Sequence, residues 1–302
     1  METKEEPMQV EDNKQLEIVE DAGIEYTESQ DLEDIEPTDE NISNIIERLS
    51  SEDWKENFYG FDNLRSLYQF HPEEFKQYLP KFKELIKEGV ENLRSSICRN
   101  SLNLTSEIYS TPKDLSEKDE NGDLTPYSEF TAEILPIVSK RLADDKVFLS
   151  SRAKTVTELI AANCTHSREV TDVLCELSRS KSFVIASEAN NALKTSCSLF
   201  DEEHIRKKDN LDNLLKLVST HLESKRQPFT KNSKLILKCL KEKIGEADLK
   251  SLATEVLQDD SEVEQIMKAF IVKKTKDSSS GFRAFLKNKK KAKKGDDEPE
   301  IS

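Results

Sequence analysis

The chain has 302 residues with 60 Asp+Glu against 45 Lys+Arg, a formal net charge of −15, and only 7 Gly and 9 Pro. So few turn-formers exclude most β-sheet architectures, and the lack of any apolar run near the ~18 residues that span a bilayer argues against membrane insertion. The five cysteines (Cys98, Cys164, Cys175, Cys197 and Cys239) stand singly, without a CxxC pair or a histidine at ligand spacing, and read as small core residues of a reducing compartment.

In chain order, residues 1–40 carry sixteen Asp/Glu and two Lys, net −14, with Tyr26 as the one aromatic. Such a composition buries too little apolar surface to offset its ordering entropy, so a disordered acidic arm is expected. It opens METKEEP, with no apolar signal segment, which argues against secretion. From residue 41 the pattern changes. Ile42, Ile45, Ile46 and Leu49 recur at i, i+3, i+4, i+7, and Trp54, Phe58, Phe61, Leu64 and Tyr68 continue the stripe after Ser50-Ser51-Glu52-Asp53. This spacing predicts two helices joined by a tight turn. Phe75, Tyr78, Leu79, Phe82, Leu85 and Ile86 form the next stripe, partnered by Leu93, Ile97, Leu104 and Ile108 with Asn92 as the N-cap. Further pairs are expected at 126–143 with 147–162, 167–179 with 183–199, 208–222 with 229–244, and 247–257 with 261–274.

Six helical hairpins result. With second helices starting near Trp54, Leu93, Val147, Phe183, Phe229 and Val263, the spacings are 39, 54, 36, 46 and 34 residues. HEAT repeats run about 40 to 47 residues, and the longest interval holds a polar insertion, Ser110 to Asp123, expected as an exposed loop. The predicted fold is an all-α HEAT-repeat solenoid over residues 41–275, in which stacked hairpins share one core and most of these apolar residues are core. The last segment, 276–302, is expected to be a disordered lysine-rich tail.

Two stretches are more specific: SSEDWKENFYGFDNLRSLYQFHPE at 50–73 and NLRSSICRNSLNLTSEIY at 92–109. Together they resemble the first two repeats of TOG domains, above all those of CLASP proteins and of the TOG-array regulators of axonemal microtubules. A turn ending in Asp-Trp marks the first repeat of that family, and Leu-Arg-Ser at a turn marks the second. The resemblance implies a paddle of six repeats whose intra-repeat turns line one edge and grip αβ-tubulin, an aromatic in the first turn and basic residues in later turns making the contact. Carried onto this chain, the aromatic is Trp54 and the basic positions are Lys55, Arg94, Lys146, Lys181, Arg226 and Lys231, with Lys225 beside them. An indole at a turn covers much area at small entropy cost, and cations suit an acidic partner. The third turn, ADDKVFLSSRAK, departs from the family in setting two Asp beside its one Lys, and SRSKSFVIASEANN lacks the family's Val-Arg-Lys after the fourth.

Near the C-terminus, FRAFLKNKKKAKK at 282–294 sets Phe282 and Phe285 among Arg283, Lys287, Lys289, Lys290, Lys291, Lys293 and Lys294. On charge alone an import receptor, RNA or anionic lipid could use this run. Within the resemblance, the reading is the acidic tails of the microtubule lattice, with neither nucleic acid nor membrane as a partner, and with a place on the cytoplasmic or ciliary cytoskeleton. No phosphate loop, HExxH or GxSxG occurs, and His71, His166, His204 and His221 are scattered, so neither catalytic residues, nor a metal, nor a cofactor are expected. The expectation is a tubulin- or microtubule-binding regulator of assembly or stability. The alternative is a HEAT- or armadillo-type scaffold that binds a peptide on its concave face.

Overall fold

The computed structural model describes residues 26–110 and 126–269, and its regular structure there is entirely helical. The helices are α1 Asp39–Leu49, α2 Trp54–Phe70, α3 Pro72–Glu91, α4 Ser95–Ser110, α5 Pro126–Arg141, α6 Val147–Asn163, α7 Arg168–Leu177, α8 Phe183–Leu199, α9 Glu202–Arg206, α10 Lys208–Leu222, α11 Gln227–Ile244, α12 Glu246–Leu257 and α13 Asp260–Lys268. They pair into the six expected hairpins, with the short α9 added, and the fold is an α-helical repeat fold of the HEAT type. The helices group into two compact units, one ending at Asn163 and the other beginning at Cys164, where the sequence suggests one continuous block. No helix among the described residues is long and apolar enough to cross a membrane. The basic tail from Arg283 to Lys294, residues 1–25 and the insertion from 111 to 123 lie outside the described residues.

In the first unit the second helices α2, α4 and α6 pack in sequence, as do the first helices α3 and α5. The predicted stripes face inward: Ile42, Ile45, Leu49, Phe58, Phe61, Leu64, Phe75, Leu79, Phe82, Ile97 and Leu104 are all buried. Leu93 points the other way. It is 96% exposed in the turn ahead of α4, because the Asn92 side chain accepts the Arg94 N–H and holds the chain out of helix until Ser95.

The first unit's core is also polar. Arg65, 2% exposed, pairs with Asp62 at 3.2 Å and with Glu107 at 2.7 Å, and donates to Asn100 Oδ1 at 3.1 Å. Asn100 Nδ2 in turn donates to Asp62 Oδ1 and to the Phe58 carbonyl. Burial pushes the Asp62 carboxyl up, and the Asn100 hydrogen bond and Arg65 charge offset part of the rise. The same arginine corrects the expectation of a disordered arm for residues 26–38 alone. From Tyr26 to Thr38 the chain lies on α2 and α4: Arg65 donates to the Thr27 carbonyl at 2.8 Å, Ser29 donates to Glu107 at 2.6 Å, Leu32 is buried, and Asp34 meets His71 at 2.7 Å. Enough apolar and hydrogen-bonding groups occur in these residues to repay their ordering.

In the second unit α10 packs against α7, α12 and α13, while α8 packs on α11. The core is aliphatic, from Val170 and Leu174 to Leu214, Leu215, Leu237 and Leu240. Lys243 donates to the Ser198 and Phe200 carbonyls and closes the end of α8. None of the five cysteines is in a disulfide, and four are buried. Burial pushes the Cys98 thiol up to about 11 and the Cys175 thiol to about 12, so both stay protonated and behave as small apolar groups.

Close packing in the first unit fixes one glycine. A Cβ on Gly89 of α3 would stand 2.2 Å from Phe61 Cζ and 2.9 Å from Ser101 Oγ. Phe61 is 1% exposed and cannot swing aside. Gly89→Ala should therefore destabilise the chain by about 1–3 kcal/mol in urea unfolding, despite the better helix propensity of alanine.

Candidate functional site

Where the first helix of a hairpin meets the second, the same local bond recurs. Asp53 N–H donates to Ser51 Oγ at 3.1 Å, Arg94 N–H to Asn92 Oδ1 at 2.9 Å, Lys146 N–H to Asp144 Oδ1 at 3.0 Å, Ser182 N–H to Ser180 Oγ at 3.2 Å, and Arg226 N–H to Ser224 Oγ at 3.1 Å. Short polar side chains mimic a backbone turn in this way. The second helix then starts three residues after the acceptor in all five, at Trp54, Ser95, Val147, Phe183 and Gln227. The sixth corner is a plain N-cap: Asp259 accepts from Ser261, after Gln258 in the left-handed region at φ 56°.

In the first unit this register brings three turns together. The Arg94 guanidinium stacks on the half-buried Trp54 ring at 4.0 Å, and Lys55 Nζ is 5.9 Å from the same ring. Lys146 reaches from the third turn to Ser95 Oγ at 2.8 Å. Beneath them Arg141 donates to the Val90 carbonyl at 2.8 Å and the Asn92 carbonyl at 3.0 Å and pairs with Asp144 at 3.1 Å, clamping the third turn to the second. Leu93 and Val147, 96% and 75% exposed, stand outward from this assembly. Glu52, Asp53 and Asp145 are exposed in the same turns, so the patch is more apolar than cationic.

The second unit repeats the motif in its own turns. Arg226 lies 5.5 Å over the exposed Phe183 ring, and Phe183 meets the buried Phe229 edge-on at 6.0 Å. Each pair joins the residue two after the acceptor of one turn to the first residue of the second helix in the preceding hairpin. Lys181 and Lys225 are exposed between acceptor and donor of their turns, and Lys231 is exposed one helical turn into α11. With Glu223 the one carboxylate within these two turns, this patch is the more basic of the two, although its sequence departs further from the family pattern.

Trp54, Lys55, Arg94, Lys146, Lys181 and Arg226 thus fall at the turns as expected, Lys231 lies one helical turn into α11, and the geometry joins Trp54 with Lys55 and Arg94 in one unit. It missed Arg141, whose acceptors are backbone carbonyls far away in sequence, and Phe183, whose phenyl was read as core. The recurring Ser/Asn/Asp three residues before five of the second helices is the signal that would have fixed those turns. Beneath the second patch, His221 packs on Phe229 at 4.9 Å. Burial and the Arg179 charge hold its imidazole well below the ordinary 6.5, at about 4. His204, also buried, is held at about 4 by burial and by the facing His166, against the opposing pull of Asp201.

No family model matches the chain, and no curated protein matches it in sequence. Among solved structures it is similar to the TOG domain of Zyg9 from C. elegans, at 14% identity over 79% of this chain and 90% of that one, with a TM-score of 0.52. It also matches the N-terminal domain of MAST/Orbit (12% identity, 75% and 94% covered, TM-score 0.48) and a designed armadillo repeat protein (15% identity, 74% and 98% covered, TM-score 0.37). At this identity the Zyg9 likeness shows a TOG-like fold and nothing further.

The two histidines make stability depend on pH. Because each has a folded value near 4 and an unfolded value near 6.5, the unfolded chain binds more protons between these limits. Stability therefore rises with pH through this window and is lost as pH falls. Unfolding free energies from urea titrations between about pH 7 and about pH 5 should decline, on the order of 1–2 kcal/mol per histidine, and His204→Gln with His221→Gln should flatten the decline.

Proposed function

We propose that this chain binds αβ-tubulin through its helix–turn patches and thereby regulates microtubule assembly or stability. The observation that carries the reading is an arginine set over an incompletely buried aromatic at one fixed turn position, Arg94 over Trp54 and again Arg226 over Phe183. Stacking engages the flat face of a guanidinium, so its N–H edge remains available to a carboxylate. The aromatic beneath supplies contact area with few rotamers to freeze. Such a pair suits an acidic protein surface that has apolar patches, and the resemblance of residues 50–73 and 92–109 to TOG repeats supplies the candidate partner. The TOG-like fold agrees with this assignment.

In this reading the first unit's patch, with Trp54, Leu93 and Val147, supplies burial. The second, with Lys181, Lys225, Arg226 and Lys231, supplies charge that speeds encounter and weakens with salt. The chain acts as a binder rather than a catalyst, and works on the cytoskeleton.

Co-elution of the purified chain with unpolymerised tubulin on gel filtration tests the proposal. Trp54→Ala and Arg94→Ala should each weaken binding by at least ~30-fold, the cost of a central interface residue, with far-UV circular dichroism unchanged. Lys181→Ala with Arg226→Ala should lower the association rate and flatten its salt dependence. A wild-type chain that does not bind, or Trp54→Ala binding as tightly as wild type, would overturn it.

A further inference from the structure

A second surface lies further along the helices from the turns. Tyr26 sits edge-on to Phe58 of α2, with ring centroids 5.4 Å apart, and beneath the Arg99 guanidinium of α4 at 4.0 Å. Arg99 also faces Phe148 of α6 at 5.9 Å. The next residue, Thr27, gives its carbonyl to Arg65 Nη1 at 2.8 Å and its hydroxyl to Asp62 at 3.3 Å. Ser29 donates to Glu107 at 2.6 Å and accepts from Arg65 Nη2 at 3.4 Å. Between them Glu28 is exposed, near the half-buried Arg152 of α6, whose charge is disfavoured by burial and by Arg99 and favoured by Glu28 and Glu107.

The polar cluster of the receiving face keeps partners of its own without the segment. Arg65 keeps Asp62, Glu107 and Asn100 as partners, and Asn100 is anchored on the Phe58 carbonyl. What the segment adds is one aromatic, one main-chain carbonyl, two hydroxyls and one carboxylate, all in extended or single-turn backbone. On the face, Arg65, Arg99 and Arg152 outnumber Asp62 and Glu107, and Glu28 supplies the balancing negative charge. The arrangement reads a peptide as recognition modules do, through main chain and alternate side chains.

We propose that this face of α2, α4 and α6 is a recognition site for an extended acidic peptide led by an aromatic, and that residues 26–31 fill it in cis as a displaceable ligand. The occupant in trans is a partner segment of that chemistry. This inference does not rest on tubulin binding at the turns, since none of its residues is a turn residue. A tethered ligand competes at an effective concentration of about millimolar, so the wild-type chain holds the site closed against weak partners.

The test uses the full chain and a fluorescein-labelled synthetic peptide of its own residues 26–33, followed by fluorescence anisotropy. Tyr26→Ala in the chain loosens the tethered copy and should tighten binding of the added peptide at least tenfold over wild type. Adding Arg99→Ala should abolish it, and a scrambled peptide should not bind. Circular dichroism and thermal melting of each variant are read alongside. Equal peptide binding by wild type and Tyr26→Ala would overturn the proposal, as would equal binding of the scrambled peptide. So would loss of cooperative melting in Tyr26→Ala, which would make the segment part of the fold rather than a ligand.

Discussion

A local hydrogen bond from a backbone N–H to the side chain two residues before it marks where the second helix begins in five of the six hairpins. Ser51, Asn92, Asp144, Ser180 and Ser224 all serve as the acceptor. Each such bond contributes only about 1 kcal/mol net, so its weight lies in geometry rather than stability. It holds two residues out of the helix, and in three turns the second of them, Arg94, Lys146 or Arg226, reaches the preceding hairpin. Arg94 then meets Trp54, and Arg226 meets Phe183, because their turns share a register. A helix started one residue earlier would rotate those side chains by about 100° and separate the pairs.

Polar groups inside each unit hold that register from below. In the first unit, Arg65 joins α2 to α4 through Glu107 and Asn100, while Arg141 ties the third turn to backbone carbonyls of the second. In the second, Asn232 of α11 donates to Asn190 and Asn191 of α8 at 2.9 Å, and Thr230 donates to the Ser224 and His221 carbonyls. Apolar stripes alone tolerate helices sliding past one another. A buried donor left without its acceptor costs about 1–3 kcal/mol, so such networks restrict which neighbours a helix accepts.

Hairpin number and pairing were legible because burial on one side of a helix forces a 3.6-residue period, and little competes with it in a chain so poor in Gly and Pro. The limits of individual helices were less legible. Leu93 read as the first apolar residue of α4, but the Asn92 side chain keeps it in the turn. Averaging charge over residues 1–40 hid Tyr26 and Leu32, which carry the packing of the last fifteen residues. Arg65 was invisible for a different reason: its partners Glu107 and Thr27 lie far off in sequence, and nothing local marks an arginine as core. The turn residues came from a family resemblance, and the structure adds the pairing of aromatic and guanidinium that no periodicity contains.

Amide hydrogen exchange of the full chain, with and without unpolymerised tubulin, addresses the whole account at once. If the turns are the contact surface, protection should appear at residues 51–56, 92–96 and 144–148, and at 180–184 and 224–228, with the middles of the helices unchanged. Protection confined to helix middles, or none at any turn while tubulin is bound, would contradict it.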